Sequence, residues 1–299
     1  MSAVKGARDL KEGTGGAHLD AWARVQLARH PERPHTLDYI ADLCTDFIEL
    51  HGDRSFRDDP ALVGGIARLL GTGRTVLVIG HQKGANTKEN LRRHFGMAHP
   101  EGFRKARRLM RHAEKFGLPV LTFIDIPGAD PGINSEERGQ ALAIAECIQA
   151  LTELRVPIIA TVIGEGGSGG ALALGVADRV IMLENATYSV ISPEGCASIL
   201  WNDAKQAPAA AAALRVTAAD ALELGVIDAI IPEPVPAHED PHGATAAVGR
   251  AIREALEQME LDFPPDDPTS SARLLDARYA KFRVLGRWRD EASAALNGA

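Results

Sequence analysis

The segment with most chemical promise is Gly164-Glu-Gly-Gly-Ser-Gly-Gly-Ala-Leu-Ala173, in which five of ten residues are glycine. Glycine lets main-chain N–H groups approach a ligand closely, and a helix starting there adds positive potential. Two adjacent amides aimed at one oxygen stabilise negative charge that develops on it during a reaction. The other reading is a turn that serves only tight strand–helix packing, and the motif alone does not separate the two. The same stretch fits G-x-S-x-G as Gly166-Gly-Ser168-Gly-Gly170, the pattern of a nucleophile elbow. Ser168 is then a candidate nucleophile with His238 or His242 as its base. Both histidines occupy a polar, proline-rich loop, and no acid–histidine pairing can be read from the sequence.

A second turn, Asp125-Ile-Pro-Gly-Ala-Asp-Pro-Gly132, closes an apolar run in the same manner. Parallel strands present their C-terminal ends to one crevice, so the Gly128–Ala129 peptide is a candidate to line the same cleft. Neither segment is a G-x-x-x-x-G-K-[ST] phosphate loop. Glu136 and Glu137 suit the positive end of a helix that starts there, while Arg138 is a candidate to orient a carboxylate through its forked donors. A basic stretch from Lys83 to Arg111 is either a set of solvated helix faces or a patch for the phosphates of a ligand or an acidic partner.

The elements that position these residues follow from pattern. Leu118–Asp125 and Arg155–Gly164 are short apolar runs bounded by Gly and Pro, with an amphipathic helix expected over Ser135–Leu154 between them. Such runs read as buried parallel strands in βαβ units. Pro119 and Pro157 hold matching places, so the pattern recurs after 38 residues. Strands are further expected over Ala61–Leu70, Thr75–Gly80, Arg179–Leu183, Thr187–Ile191 and Val226–Ile231. A helix with Thr36 as N-cap is expected to carry Leu37, Ile40, Leu43, Phe47 and Leu50 on one face. The second half of the basic stretch is expected to be helical after Pro100. Thr217-Ala-Ala-Asp220 reads as a capping box opening a helix that ends at Gly225. Terminal helices are expected near Ala244–Met259 and Ser271–Leu285.

Composition bounds the class. The chain of 299 residues is 45% hydrophobic and 24% charged, the balance of a soluble globular protein, and its net charge of -7 speaks against a general nucleic-acid binder. Cys44, Cys147 and Cys196 form no C-x-x-C pair, so no disulfide framework or zinc site is expected. Met1–Gly16 reads as a polar tail without a signal peptide, no apolar run is long enough to span a membrane, and a cytoplasmic location is expected.

Five strings together carry a resemblance: Leu27-Ala-Arg-His-Pro-Glu-Arg-Pro34, Val63-Gly-Gly-Ile-Ala-Arg68, Gly80-His-Gln-Lys-Gly84, Gly164-Glu-Gly-Gly-Ser-Gly-Gly-Ala171 and Ser189-Val-Ile-Ser-Pro-Glu-Gly-Cys-Ala-Ser-Ile-Leu-Trp201. From about Trp22 to beyond Pro234 the chain resembles the α subunits of bacterial acetyl-CoA carboxylase carboxyltransferases. The resemblance implies an α/β, crotonase-like (ClpP/crotonase) spiral of ββα units with helical N- and C-terminal extensions. On it the chain divides into a tail and helix over 1–35, the carboxyltransferase domain over 36–262 and a helical extension over 263–299.

The activity implied is transfer of a carboxyl group from carboxybiotin to acetyl-CoA, giving malonyl-CoA for fatty-acid synthesis. Biotin is carried by a separate biotin carboxyl carrier protein, the coenzyme A thioester is the substrate, and ATP is used only by a separate biotin carboxylase. A β subunit bearing a zinc ribbon completes the active site in an α2β2 enzyme, and this chain itself is expected to hold no metal. The family's Gly-Gly pair matches Gly169 and Gly170. Their amides, with that of Ala171, are implied to hold the ureido oxygen of biotin as negative charge gathers on it. Gly128, Ala129 and Arg138 are the further binding candidates. Chemistry run by placed amides needs no side-chain base, which suits a glycine-rich site without a triad. Ile126 and Asp130 stand where many relatives carry Thr and Tyr, and the segment before Trp22 is shorter than in some. The other readings are a carboxyltransferase or decarboxylase subunit for another acyl-CoA, the Ser168 hydrolase, and a non-catalytic scaffold subunit.

Overall fold

The fold was taken from a computed structural model, which describes residues 19–286. The tail expected over residues 1–16 and the end of the C-terminal extension lie outside them. Helix α1 (Ala21–Ala28) is capped by the Asp20 carboxylate, which accepts from Ala23 N–H at 2.7 Å. After the Pro31–Pro34 break, α2 (Thr36–Leu43) starts with His35 at its N-cap, where the expectation had Thr36. The Thr36 hydroxyl instead donates to the His81 carbonyl.

The helix stops seven residues sooner than the apolar spacing suggested. Phe47 lies in strand β1 (Cys44–Glu49) and Leu50 just beyond it. β1 pairs antiparallel with β2 (Leu62–Leu69), from Cys44 opposite Leu69 to Glu49 opposite Gly65. A three- or four-residue recurrence over so few residues is compatible with either conformation, and pairing to a neighbouring strand decides it. β3 (Arg74–His81) completes an antiparallel meander with β2.

α3 (Thr87–Arg92) and α4 (Pro100–Phe116) follow, the latter closed by Gly117 at φ +66°. β4 (Val120–Ile126) is buried at every position. The single helix expected next is two, α5 (Ile133–Glu137) and α6 (Gln140–Glu153), because Gly139 turns left-handed at φ +83° between them. β5 (Ile158–Gly167) runs into α7 (Ser168–Gly175), followed by β6 (Arg179–Leu183) and the short β7 (Thr187–Ser189). α8 (Pro193–Trp201), α9 (Ala207–Leu214) and α10 (Ala218–Glu223) come next, with Thr217 and Asp220 forming the capping box read from the sequence. β8 (Ala229–Ile231), α11 (Pro241–Asp262) and α12 (Ser270–Arg283) end the described chain. α12 is fastened by Arg278, 2% exposed, which grips Asp178 at 2.8 Å through two nitrogens and donates to the Leu151, Leu154 and Val156 carbonyls.

The sheet order is β1-β2-β3-β4-β5-β6-β8, with β7 beside β5. From β3 onward the neighbours run parallel, so the exits of β3, β4 and β5 meet at one edge. The 38-residue recurrence is the register itself: Val120 lies opposite Ile158 and Ile124 opposite Val162. At the site edge the register slips, placing Ile126 opposite Gly166, an offset of 40. That bulge separates the structural part of both strands from their glycine-rich exits.

Candidate functional site

Most glycines of the 164–170 segment are there because a neighbouring side chain or backbone lies too close for a Cβ. A Cβ on Gly164 would sit 2.3 Å from the Asp125 carboxylate, one on Gly167 would sit 2.1 Å from the Pro127 carbonyl oxygen, and one on Gly170 would sit 3.0 Å from the Ala129 nitrogen. Every third residue of the β5 exit thus rests on every second residue of the β4 exit. Gly166 is held in the same way against Tyr188, 2.6 Å from a Cβ. Gly169 alone has ordinary room, with Ile144 Cγ2 at 3.5 Å. Close packing therefore accounts for Gly164, Gly166, Gly167 and Gly170, and it brings the two exits together.

What that packing leaves over is a set of unpaired amides. A helix has no carbonyl one turn back for its first N–H groups, which in α7 are those of Ser168, Gly169 and Gly170. The amide of Ala171 falls where helical pairing begins. Gly167, at the N-cap, supplies no side chain to satisfy these donors. Among the described residues, the amides of Gly128 and Ala129 also find no main-chain acceptor, and the space beyond Gly128 is open. The two sets of donors lie next to each other, since Gly170 abuts Ala129, and Ala171 is fully buried.

Arg138 is not part of that group. Its Nε donates to Glu101 Oε1 at 2.7 Å, a second nitrogen reaches Glu101 Oε2 at 3.3 Å, and NH1 donates to the Asn134 carbonyl at 2.6 Å. Glu101, with a fully buried side chain, also binds Arg104 at 3.1 Å. The guanidinium is committed to joining α4 to the α5–α6 junction. Asp130 turns back on its own loop, accepting from Gly132 N–H at 3.1 Å and lying 3.7 Å from His99 Nδ1. Most of the basic stretch is paired internally: Arg93 with Glu89, Arg104 with Asp53, Lys105 with Asp58, Arg107 with Glu146, and Arg111 with Glu153. Lys88 and Arg92 are exposed and make no ion pair among the described residues.

Ser168 takes φ +53°, a left-handed conformation unusual for serine, at the strand-to-helix turn. Its hydroxyl meets neither histidine by a hydrogen bond. His238 stacks on His30 with ring centroids 3.8 Å apart, and His242 binds Asp42 at 3.1 Å while otherwise exposed.

Sequence reasoning passed over a charged cluster beneath the two exits. Lys83 Nζ lies 2.6 Å from Asp125 Oδ1 and 3.0 Å from Glu165 Oε2. Asp125 also meets His35 Nδ1 at 3.2 Å and accepts from Glu165 N–H at 3.1 Å, while Arg29 Nε donates to Glu165 at 2.6 Å. Burial by itself would raise the Asp125 carboxyl, but the Lys83 charge and the His35 contact outweigh it and hold it well below the usual carboxylate range. Lys83 is held above the usual ammonium value by the same two carboxylates against its own burial. Nearby His81, fully buried, is pushed down to about 3 by burial and stays neutral. Arg29, His35, Lys83, Asp125 and Glu165 line a cleft of about 270 Å³ that also touches Pro127. The available signal was an acid directly ahead of each glycine-rich turn. Among the described residues, no cluster of His, Cys, Asp or Glu is arranged to hold a metal ion, and no helix is long and apolar enough to cross a membrane.

The family model described as acetyl co-enzyme A carboxylase carboxyltransferase-like matches residues 6–286. The acetyl-coenzyme A carboxylase carboxyl transferase subunit alpha of Thermus thermophilus is 57% identical over 270 residues, covering 90% of this chain and 84% of that protein. Subunit alpha 1 of Burkholderia thailandensis is 54% identical over 280 residues, covering 93% and 84%. Among solved structures, a Pseudomonas malonate decarboxylase hetero-tetramer in complex with coenzyme A aligns with a TM-score of 0.60 at 21% identity, over 88% of this chain and 96% of that one. Transcarboxylase 12S aligns with a TM-score of 0.61 at 23% identity, over 76% of this chain; the match spans 41% of the transcarboxylase chain. These two likenesses establish the crotonase-like fold. With its sequence matched almost end to end, the chain belongs to the acetyl-coenzyme A carboxylase carboxyltransferase family, among the alpha subunits.

Proposed function

We propose that this chain forms the carboxybiotin-facing half of an acetyl-CoA carboxyltransferase, working with a β subunit to make malonyl-CoA in the cytoplasm. The observation that carries the reading is the meeting of two glycine-rich exits, with Ala129 N 3.0 Å from where a Gly170 Cβ would be. Carboxybiotin, delivered on its carrier protein, would supply the activated carboxyl group. Two features support such a guest: the space over Gly128 is open, and the Gly128 and Ala129 amides have no main-chain acceptor. Gly169 and Gly170 donate to the oxygen of its ureido ring, and the positive end of α7 favours charge gathering there. Gly128 and Ala129 bound the opposite side of the ring. Ala171 backs the pair as a buried small residue that lets α7 sit close to β4. Arg138 acts at a distance, by holding the α5–α6 junction.

The donors are fixed before the guest arrives, so no reorganisation is needed as charge develops. Exposed Leu142 and Leu172, 65% and 44% accessible near this edge, favour a partner surface that closes the cleft. The test is co-expression with zinc-ribbon β chains, followed by assay of malonyl-CoA formed from acetyl-CoA and carboxylated carrier protein, with propionyl-CoA as competitor. Transfer should require both chains, favour acetyl-CoA and survive Ser168→Ala. Absence of transfer with every β chain, or full turnover by β alone, overturns the reading.

A further inference from the structure

The amides given to the ureido oxygen above lie on two turns, and residues at the base of both turns bind one cation. Lys83 stands two residues beyond the end of β3, its side chain 14% exposed, with Nζ 2.6 Å from Asp125 and 3.0 Å from Glu165. Asp125 stands two residues ahead of Pro127 at the β4 exit, and Glu165 stands directly ahead of Gly166 at the β5 exit. The cluster lies where the register slips between Ile124 and Ile126. Ladder hydrogen bonds are interrupted at a bulge, so side chains must fix the spacing there. Space has been cleared for this contact on two sides. A Cβ on Gly164 would strike the Asp125 carboxylate at 2.3 Å, and one on Gly96 would lie 2.9 Å from Lys83 Cγ.

The remaining contacts make Lys83 the common member. Asp125 meets His35 and the Glu165 amide; Glu165 meets Arg29, which also binds Glu194 at 2.6 Å. Of the pair Asp125 and Glu165, His35 and Arg29 each touch one, whereas Lys83 touches both. Without it, two buried carboxylates face each other at the base of the two turns, and their repulsion acts along the direction that separates them. Lys83 Nζ bonds Asp125 and Glu165 and not the 169–170 segment, so its influence passes through the backbone.

We infer that Lys83 is a positioning residue for carboxyl transfer: by bridging Asp125 and Glu165 it sets the distance between the 127–129 and 166–170 turns, and with it the aim of the amides. This rests on the function proposed above. The test uses the full chain with its β partner, comparing wild type with Lys83→Met, Lys83→Arg and Glu165→Gln. Lys83→Met should lower kcat by ~10–100-fold with the KM for acetyl-CoA within about twofold, and Lys83→Arg should recover most of the loss. Hydrogen exchange of the chain alone should quicken in peptides covering 126–131 and 164–172 and stay unchanged in α11 and α12. If Lys83→Met does not fold, Glu165→Gln decides, because it frees one arm of the bridge and should quicken exchange in 164–172 and lower kcat. Wild-type kcat in Lys83→Met, exchange that rises evenly over the chain, or no effect of Glu165→Gln overturns the inference. Should wild type and β make no malonyl-CoA, the functional reading fails while the exchange comparison still reports on the bridge.

Discussion

Replacing Gly170 with alanine adds one methyl group at the point where the two exits touch. Its carbon would lie 2.7 Å from Ile126 Cδ1 and 3.0 Å from the Ala129 nitrogen. The isoleucine can rotate away, but the Ala129 backbone has to move by a few tenths of an ångström. Alanine is favoured over glycine inside a helix by about 1 kcal/mol, and overpacking of this kind costs ~1–3 kcal/mol. The net loss is then about 1 kcal/mol, which lowers Tm by roughly 3 °C in a chain of this size. Catalysis should suffer more than stability. Losing one charge-stabilising donor altogether costs ~100–1,000-fold in kcat, so displacing two turns that carry such donors should cost about tenfold or more. Gly169→Ala is the stability control, since its methyl meets only Ile144 at 3.5 Å. It should leave Tm unchanged or raise it by up to about 3 °C. Thermal melts of the chain and malonyl-CoA assays with β would measure both. A Gly170→Ala enzyme with kcat within about twofold of wild type would show that the spacing of the exits does not matter. Equal destabilisation by both alanines would refute the packing argument.

Two other perturbations have definite expected outcomes. Arg138→Ala should lower Tm by a few degrees because the buried Glu101 loses a partner, yet leave the KM for acetyl-CoA unchanged, since the guanidinium faces α4; a large rise in KM would restore it to the binding site. Asp125 has a depressed carboxyl, so its contribution to stability is present above about pH 4 and is lost as pH falls below the unfolded-state value. In denaturant titrations from pH 7 to pH 3, Asp125→Asn should therefore begin less stable but lose stability more slowly in acid, by up to about 1.4 kcal/mol per pH unit. Parallel acid slopes for the two proteins would contradict the depressed carboxyl.

Part of this molecule is written in local pattern. Two apolar runs identify β4 and β5, because a buried parallel strand reads as a continuous hydrophobic run and the short length and flanking Gly and Pro disfavour a helix. Their 38-residue recurrence already contains the register, from Val120 opposite Ile158 to Ile124 opposite Val162. The Thr217–Asp220 capping box and the β6 boundaries are equally local. Glycine density marked the site edge, since glycine is costly to keep in ordered elements unless something approaches closely.

Tertiary structure decided what depends on partners distant in sequence. Phe47 could not be assigned to a strand until β2 was beside it. Arg138 had the chemistry of a carboxylate clamp, and only the placement of α4 showed that Glu101, 37 residues away, holds it. The individual glycines were also indistinguishable: Gly167 and Gly170 separate from Gly169 only when Pro127 and Ala129 come into place. Lys83 looked like one cation among many in a basic stretch, and its two carboxylates lie 42 and 82 residues further on. Periodicity and turn chemistry act between neighbours along the chain, so a linear reading recovers them. Charge pairing and backbone contact depend on which strand ends the sheet brings together, and that is settled only when the sheet has formed.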